Sequence, residues 1–270
     1  MALLAGISVL VGLLGSLTGL GGASILVPIL VLTGIPVKEA IASAMVTIIA
    51  TSSGSAASYV RARIANIKVA MFLEMFTIIG ALIGATITTI IAPVFLYFFF
   101  AAFLCTSFLK LKSEKTYQTI EQDRLSQWLG LHGSYYDEYR RQQIDYRVTN
   151  AIPGGIGMLI AGLAAGMLGI GAGAFKVTVQ ENILRIPPKV ASTTSNFIIG
   201  MTALAGVSVY LFSGLLNLTL LAPMALGASV GAIIGGRVLN RMKDSHLRVL
   251  FFLIVIFLIV QMLIKGVTAI

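Results

Sequence analysis

Residues Ala2 to Thr33 form an apolar block without a single charged side chain. As one helix its 32 residues would reach about 48 Å, against a bilayer hydrocarbon core of about 30 Å. The block therefore has to break, tilt steeply or turn back. Glycine is where a chain leaves helical geometry most easily, because it adopts backbone angles that other residues resist. The run Gly19-Leu20-Gly21-Gly22-Ala23-Ser24 predicts two half helices meeting near Gly19 to Gly22. A second block, Ala151 to Leu184, is interrupted in the same way by Gly169-Ile170-Gly171-Ala172-Gly173-Ala174. The chain carries the same device twice.

With 57% hydrophobic and 11% charged residues and a mean hydropathy of +0.97, the chain reads as a polytopic membrane protein whose lipid partner is the bilayer itself. Its first residues lack the positive region of a secretory signal, so no cleavage is expected. A net charge of +9 points to nucleic acid in a soluble protein, but here Lys and Arg fall mostly in short loops between apolar blocks. That is the positive-inside pattern, and no nucleic-acid partner is expected. The lone Cys105 sits in an apolar run and is read as a packing residue, the alternative being a thiol facing a pore. An enzyme reading lacks parts. His132 and His246 fall in polar segments, and neither an H-E-x-x-H pair, a Ser-His-acid set nor a Walker loop is present. No cofactor, metal or ATP is expected.

The charged loop Arg61 to Lys68 is short and basic and is placed in the cytoplasm; Ala92-Pro93 and Ser213 to Asn217 are uncharged turns placed outside. Helices are expected from Pro36 to about Tyr59, over Val69 to Ile91, Val94 to Leu109, Val190 to Phe212, Leu218 to Leu239 and Leu250 to Ile264. Between Lys110 and Arg147 seven Lys or Arg stand against six Asp or Glu, with Trp128 and the tyrosines Tyr135, Tyr136, Tyr139 and Tyr146. This is more aromatic content than a tether needs, and a small folded or amphipathic cytoplasmic insertion is expected in preference to a flexible linker.

Parity then constrains the breaks. The loop before Asn150 and the turn after Leu184 both come out inside, so the second block enters and returns on one side, as a helical hairpin; the first does the same from outside. Each half is one hairpin plus three crossings, and an odd number of crossings inverts the halves. Gly19, Gly21, Pro36, Lys38 and Ala40 match Gly169, Gly171, Pro187, Lys189 and Ala191 at offsets of 150 to 151, and Gly80 to Ala85 matches Gly227 to Ala232 at 147. The expected fold is an all-α polytopic membrane protein of two inverted repeats, residues 1–109 and 150–270, flanking a cytoplasmic insertion at 110–149. Both termini are expected outside an inner membrane.

Inverted repeats with discontinuous helices are a recurring plan of secondary transporters, whose substrate sits where the half helices meet. Half helices starting near Ser24 and Ala174 would turn free N–H groups and positive dipole ends toward that point, which suits an anion. The candidate substrate site comprises Gly19, Gly21, Gly22, Ser24, Ser43 and Thr47 from the first half. The second half contributes Gly169, Gly171, Gly173, Lys176, Gln180, Thr194, Ser195 and Asn196. An ammonium inside an apolar block is costly, so Lys176 either faces the cavity or snorkels to the cytoplasmic surface. Glu74, about 10 Å into its helix by rise, is a candidate proton carrier; the alternative is an ion pair with Arg61 or Arg63 or a reach to the headgroups.

With these residues in view, the chain resembles the sulfite exporter TauE/SafE family of membrane permeases. The resemblance rests on G-x-x-x-G-L-G-G from Gly15 to Gly22, Val27-Pro28, the turn Ile35 to Ala40, and the second copy from Pro187 to Phe197. It spans nearly the whole chain outside Lys110 to Arg147. It implies export of small organic or inorganic sulfur-containing anions such as sulfite or sulfoacetate, coupled to protons or another ion, with a second copy of the chain as a candidate partner. Thr178, where the first half has proline, and Gln180-Glu181-Asn182 depart from the family pattern and leave the cargo open. Rival readings are an anion channel of the same architecture and a membrane receptor or scaffold acting through the 110–149 insertion.

Overall fold

The computed structural model describes residues 6–13, 23–61, 64–106, 122–137, 141–216, 218–239, 256–257 and 259–268. Its helices in chain order are α1 at residues 6–13, α2 Ala23–Leu32, α3 Val37–Arg61, α4 Ile67–Ile90, α5 Pro93–Thr106 and α6 Arg124–Trp128. After a two-stranded sheet come α7 Ala151–Leu168, α8 Gly173–Asn182, α9 Pro188–Phe212, α10 Leu218–Leu239 and α11 Ile259–Thr268. The ends of these helices follow local chemistry. Asn66 caps α4, accepting a bond from Val69 N at 3.1 Å, and Pro188 sits at the first position of α9, where its missing donor is not needed.

Among the described residues, three helices, α4, α7 and α9, are long and apolar enough to cross a membrane. They expose large side chains about one turn apart: Met71, Met75 and Ile79 on α4, Ile152, Ile156 and Ile160 on α7, and Met201 and Leu204 on α9; α10 does the same with Leu226, Val230 and Ile233. A helix that shows apolar side chains outward as well as inward is matched to lipid rather than to water.

Inside, α4 and α7 lie so close that glycine is obligatory. A Cβ on Gly162 would collide with the backbone of Thr77, and one on Gly166 with that of Ala81; small residues at such spacing are how membrane helices approach each other. The pairs Thr77–Gly162 and Ala81–Gly166 advance together, so the two helices run parallel. Conversely, Gly200 meets Ser52 and Gly206 meets Met45, so α3 and α9 are antiparallel. The stripe that holds α4 to α7 has its sequence counterpart in α10, where Ala228 and Gly231 pack on α1 at Gly12 and Val9.

The second apolar block is a hairpin. Thr149 N donates to Leu184 O at 3.2 Å and Asn150 Nδ2 to Ile183 O at 3.2 Å, tying the start of α7 to the end of α8. The first break, at Gly19 to Gly22, lies outside the described residues.

Two expectations need correction. The chain is not helical throughout: the insertion folds as α6 followed by strands β1 His132–Asp137 and β2 Gln142–Arg147, antiparallel with His132 opposite Arg147. Tyr135 and Tyr146 turn inward onto Val69, Leu73 and Leu131, while Tyr136 faces out, and this two-residue alternation is the strand signature. Cys105, expected to pack, is exposed on α5.

Candidate functional site

The site is built at the second helix break. Gly169 at φ +65° and Gly171 at φ +69° take left-handed backbone angles that glycine allows, and Ala172 takes them at φ +50°, where a Cβ costs about 1–2 kcal/mol. A broken helix strands carbonyls at its end, and in α7 those of Ala165, Gly166 and Met167 are met. Gly169 N donates to Ala165 O at 2.9 Å, the hydroxyl of fully buried Tyr210 to Gly166 O at 2.6 Å, and Thr88 Oγ1 to Met167 O at 3.1 Å. Neither Thr88 nor Tyr210 stands out in the sequence. The start of α8 is different. Ala172 offers no side-chain cap, and the first intrahelical bond is Lys176 N to Ala172 O at 3.0 Å, which leaves the first-turn N–H groups of a buried segment pointing at the break.

Lys176 does not snorkel. Its side chain is completely buried, and Nζ donates to Thr202 Oγ1 of α9 at 2.8 Å. The same hydroxyl lies 3.3 Å from Glu74 Oε1 of α4 and 2.7 Å from Ile198 O. Three helices from both halves thus converge on one threonine, with a cation on one side and a carboxyl on the other. Glu74 is buried; the side chain of Arg61 and the whole of Arg63, its expected alternatives as partners, lie outside the described residues. Its Oε2 has no hydrogen-bond partner. One turn from Lys176 on the same face of α8, Gln180 is fully buried with neither amide atom bonded. An unpaired buried amide costs about 1–3 kcal/mol; such groups point to a ligand or water that would complete them.

The other predicted residues divide. Ser195 Oγ donates to Gly173 O at 3.4 Å, so it touches the break. Ser43 Oγ is buried without a partner, and Thr47 donates back to Ser43 O at 3.0 Å within α3. Thr194 instead accepts a bond from Asn66 N at 3.1 Å and joins α9 to the start of α4, while Asn196 is half-buried and donates to Ser192 O on its own helix. Ser24 falls within α2, its side chain outside the described set. Sequence reading missed Thr202. Its signal was there: Thr194, Ile198 and Thr202 recur every fourth residue along one face of α9.

A family model described as "Sulfite exporter TauE/SafE" matches residues 4–262. Among curated proteins, "Probable membrane transporter protein YunE" of Bacillus subtilis (strain 168) is 23% identical over 97% of this chain and 96% of its own length. "Probable membrane transporter protein YdhB" of the same organism is 24% identical over 90% of this chain and 92% of its own. No solved structure matches the chain.

Proposed function

From a chain that belongs to the sulfite exporter TauE/SafE family and is a membrane transporter, we propose a secondary transporter that exports small sulfur-containing anions, sulfite or sulfoacetate among them, through an inner membrane. The transported anion binds at the second glycine break. It is held by Lys176 and by the amide of Gln180, with the uncapped start of α8 adding its positive dipole end. Residues 1–109 and 150–270 act as inverted halves that expose the break alternately to the two sides, with the 110–149 insertion on the cytoplasmic face.

The observation that carries this reading is the pairing of a fully buried ammonium with a fully buried, unbonded amide one helical turn apart. Buried polar groups are satisfied in a working protein, and an oxyanion accepts from both donors at once.

Purified protein would be tested by thermal shift with sulfite, thiosulfate, sulfate, sulfoacetate and acetate. A ligand at a hundred times its Kd stabilises the fold by about 2.7 kcal/mol. A sulfur oxyanion is expected to raise the melting point of the wild type and leave Lys176→Ala unmoved. Equal shifts in both proteins, or none in either, would remove the anion from this site.

A further inference from the structure

Among the described residues, the charged groups at the break sum to zero. Lys176 and Glu74 share the hydroxyl of Thr202, and the elements around them add no third charge at that level. No titratable side chain is present on α7; Lys189 and Tyr210 of α9 lie at its first turn and at Gly166; Lys68 of α4 and Glu181 of α8 lie toward the helix ends; Lys38, bonded to Thr89 O, and Glu39 lie in the first turn of α3, and the side chains of Tyr59 and Arg61 at its other end lie outside the described residues. The sum is the same whether the shared proton rests on Lys176 or on Glu74.

An anion entering this neutral pair brings an uncompensated negative charge into a buried site, which low-dielectric surroundings resist strongly. The charge is removed most simply by a proton, and among the described residues the place for it is Glu74 Oε2, buried and without a partner. We propose that Glu74 is the counter-ion that an incoming anion displaces, and that one proton from water is bound on its carboxyl for each anion bound beside Lys176. This rests on the anion-site reading above. No covalent bond to the anion forms. The carboxylate becomes a carboxylic acid and the ammonium turns from Glu74 to the anion; a monovalent anion crosses as a neutral pair with its proton, and a divalent one keeps a single charge, which faces the N–H groups at the start of α8. Export of anion is then export of proton, and a gradient that draws protons inward opposes it.

Repeat symmetry makes the coupling single. At the sequence offsets that relate the halves, Lys176 corresponds to Leu26 and Glu74 to Leu221, both buried and apolar, while Thr202 corresponds to Thr51. Only the second break holds the pair of opposite charges.

The test is calorimetric titration of the full chain in detergent, in buffers of different ionisation enthalpy, which counts protons taken up per anion. The probes are thiosulfate and sulfoacetate, fully ionised near neutral pH, and sulfite, with its own protonation subtracted. Wild type is expected to take up about one proton per anion at a pH where the pair starts unprotonated by that proton. Glu74→Gln is expected to bind with none, and replacing sodium by N-methylglucamine to change neither count. Infrared difference spectra of the wild type should show a carboxylic-acid C=O band appearing with the anion, a readout that stands if Glu74→Gln does not fold. Binding without proton uptake, uptake that persists in Glu74→Gln, no new carboxylic-acid band, or a sodium requirement would overturn the coupling while leaving the anion site intact. If none of the three probes binds the wild type, both readings fall together.

Discussion

The backbone amide of Asn66 donates to Thr194 Oγ1 across 128 residues of sequence, and the Asn66 side chain holds three more groups from the same point. Its Oδ1 caps α4 at Val69 N, and its Nδ2 donates to His132 O at 3.2 Å and Tyr146 Oη at 2.9 Å. One residue fastens α4, α9 and the insertion. Asn66→Ala should cost about 1–2 kcal/mol from the lost cap alone, with more from the stranded Tyr146 hydroxyl. Asn66→Asp keeps the cap and loses both Nδ2 donors, so thermal melting should place it between the alanine variant and the wild type.

Thr202→Val keeps the shape of the side chain and removes the hydroxyl between Lys176 and Glu74. The two charged groups then face each other without their intermediary, and anion affinity in the thermal-shift titration should fall about tenfold, the equivalent of about 1.4 kcal/mol. Thr202→Ser should restore it. Equal affinity in all three proteins would show that the hydroxyl plays no part.

Tyr210→Phe uncovers Gly166 O at the end of α7 while leaving the ring in place. An unsatisfied buried carbonyl costs about 1–3 kcal/mol, and that loss should appear as a lower melting point. Adding Thr88→Val strands Met167 O as well. Because both carbonyls belong to one helix end, the double variant should depart from the sum of the singles.

A pH effect is expected in the insertion. Burial raises the Asp123 carboxyl, but the hydroxyl and backbone N–H of Ser126 outweigh it and hold the group below the ordinary carboxylate range. A depressed folded value stabilises at pH above the unfolded value of about 3.9 and is lost as pH falls through the folded one. Amide exchange at Ser126, compared between wild type and Asp123→Asn, should therefore differ near neutral pH and converge in acid.

The second break and its hairpin were legible because glycine spacing marks the turn, at Gly169 and Gly171. The convergence on Thr202 was not. A threonine that bonds the carbonyl four residues back, as Thr202 does to Ile198 O, is ordinary in a membrane helix, and nothing in linear order brings it to Glu74. What the sequence did hold was a complementarity. Glu74 and Lys176 are the charges set deepest in their apolar blocks, and the cheapest arrangement for two such charges is to face each other. Linear order offers Glu74 the nearby Arg61 and Arg63, which lie outside the described residues, while the shared hydroxyl of Thr202 is a neighbour only in space. The β-hairpin was hidden for another reason, since each six-residue strand, set in a polar segment, turns a single ring inward, Tyr135 or Tyr146.

The bonds from Thr149 and Asn150 to Leu184 and Ile183 also bear on how the protein is made. Since entry and exit of this hairpin lie side by side, Arg185 and Lys189 just beyond it never have to be carried through lipid. The ribosome can release both arms before either is committed, and the segment can enter the bilayer as a closed unit, its apex leading. Lys176 is then drawn in with α8, and it meets Glu74 only once α4 is already in place. Biogenesis would therefore run in sequence order here, with the first half serving as the template on which the second half buries its charge.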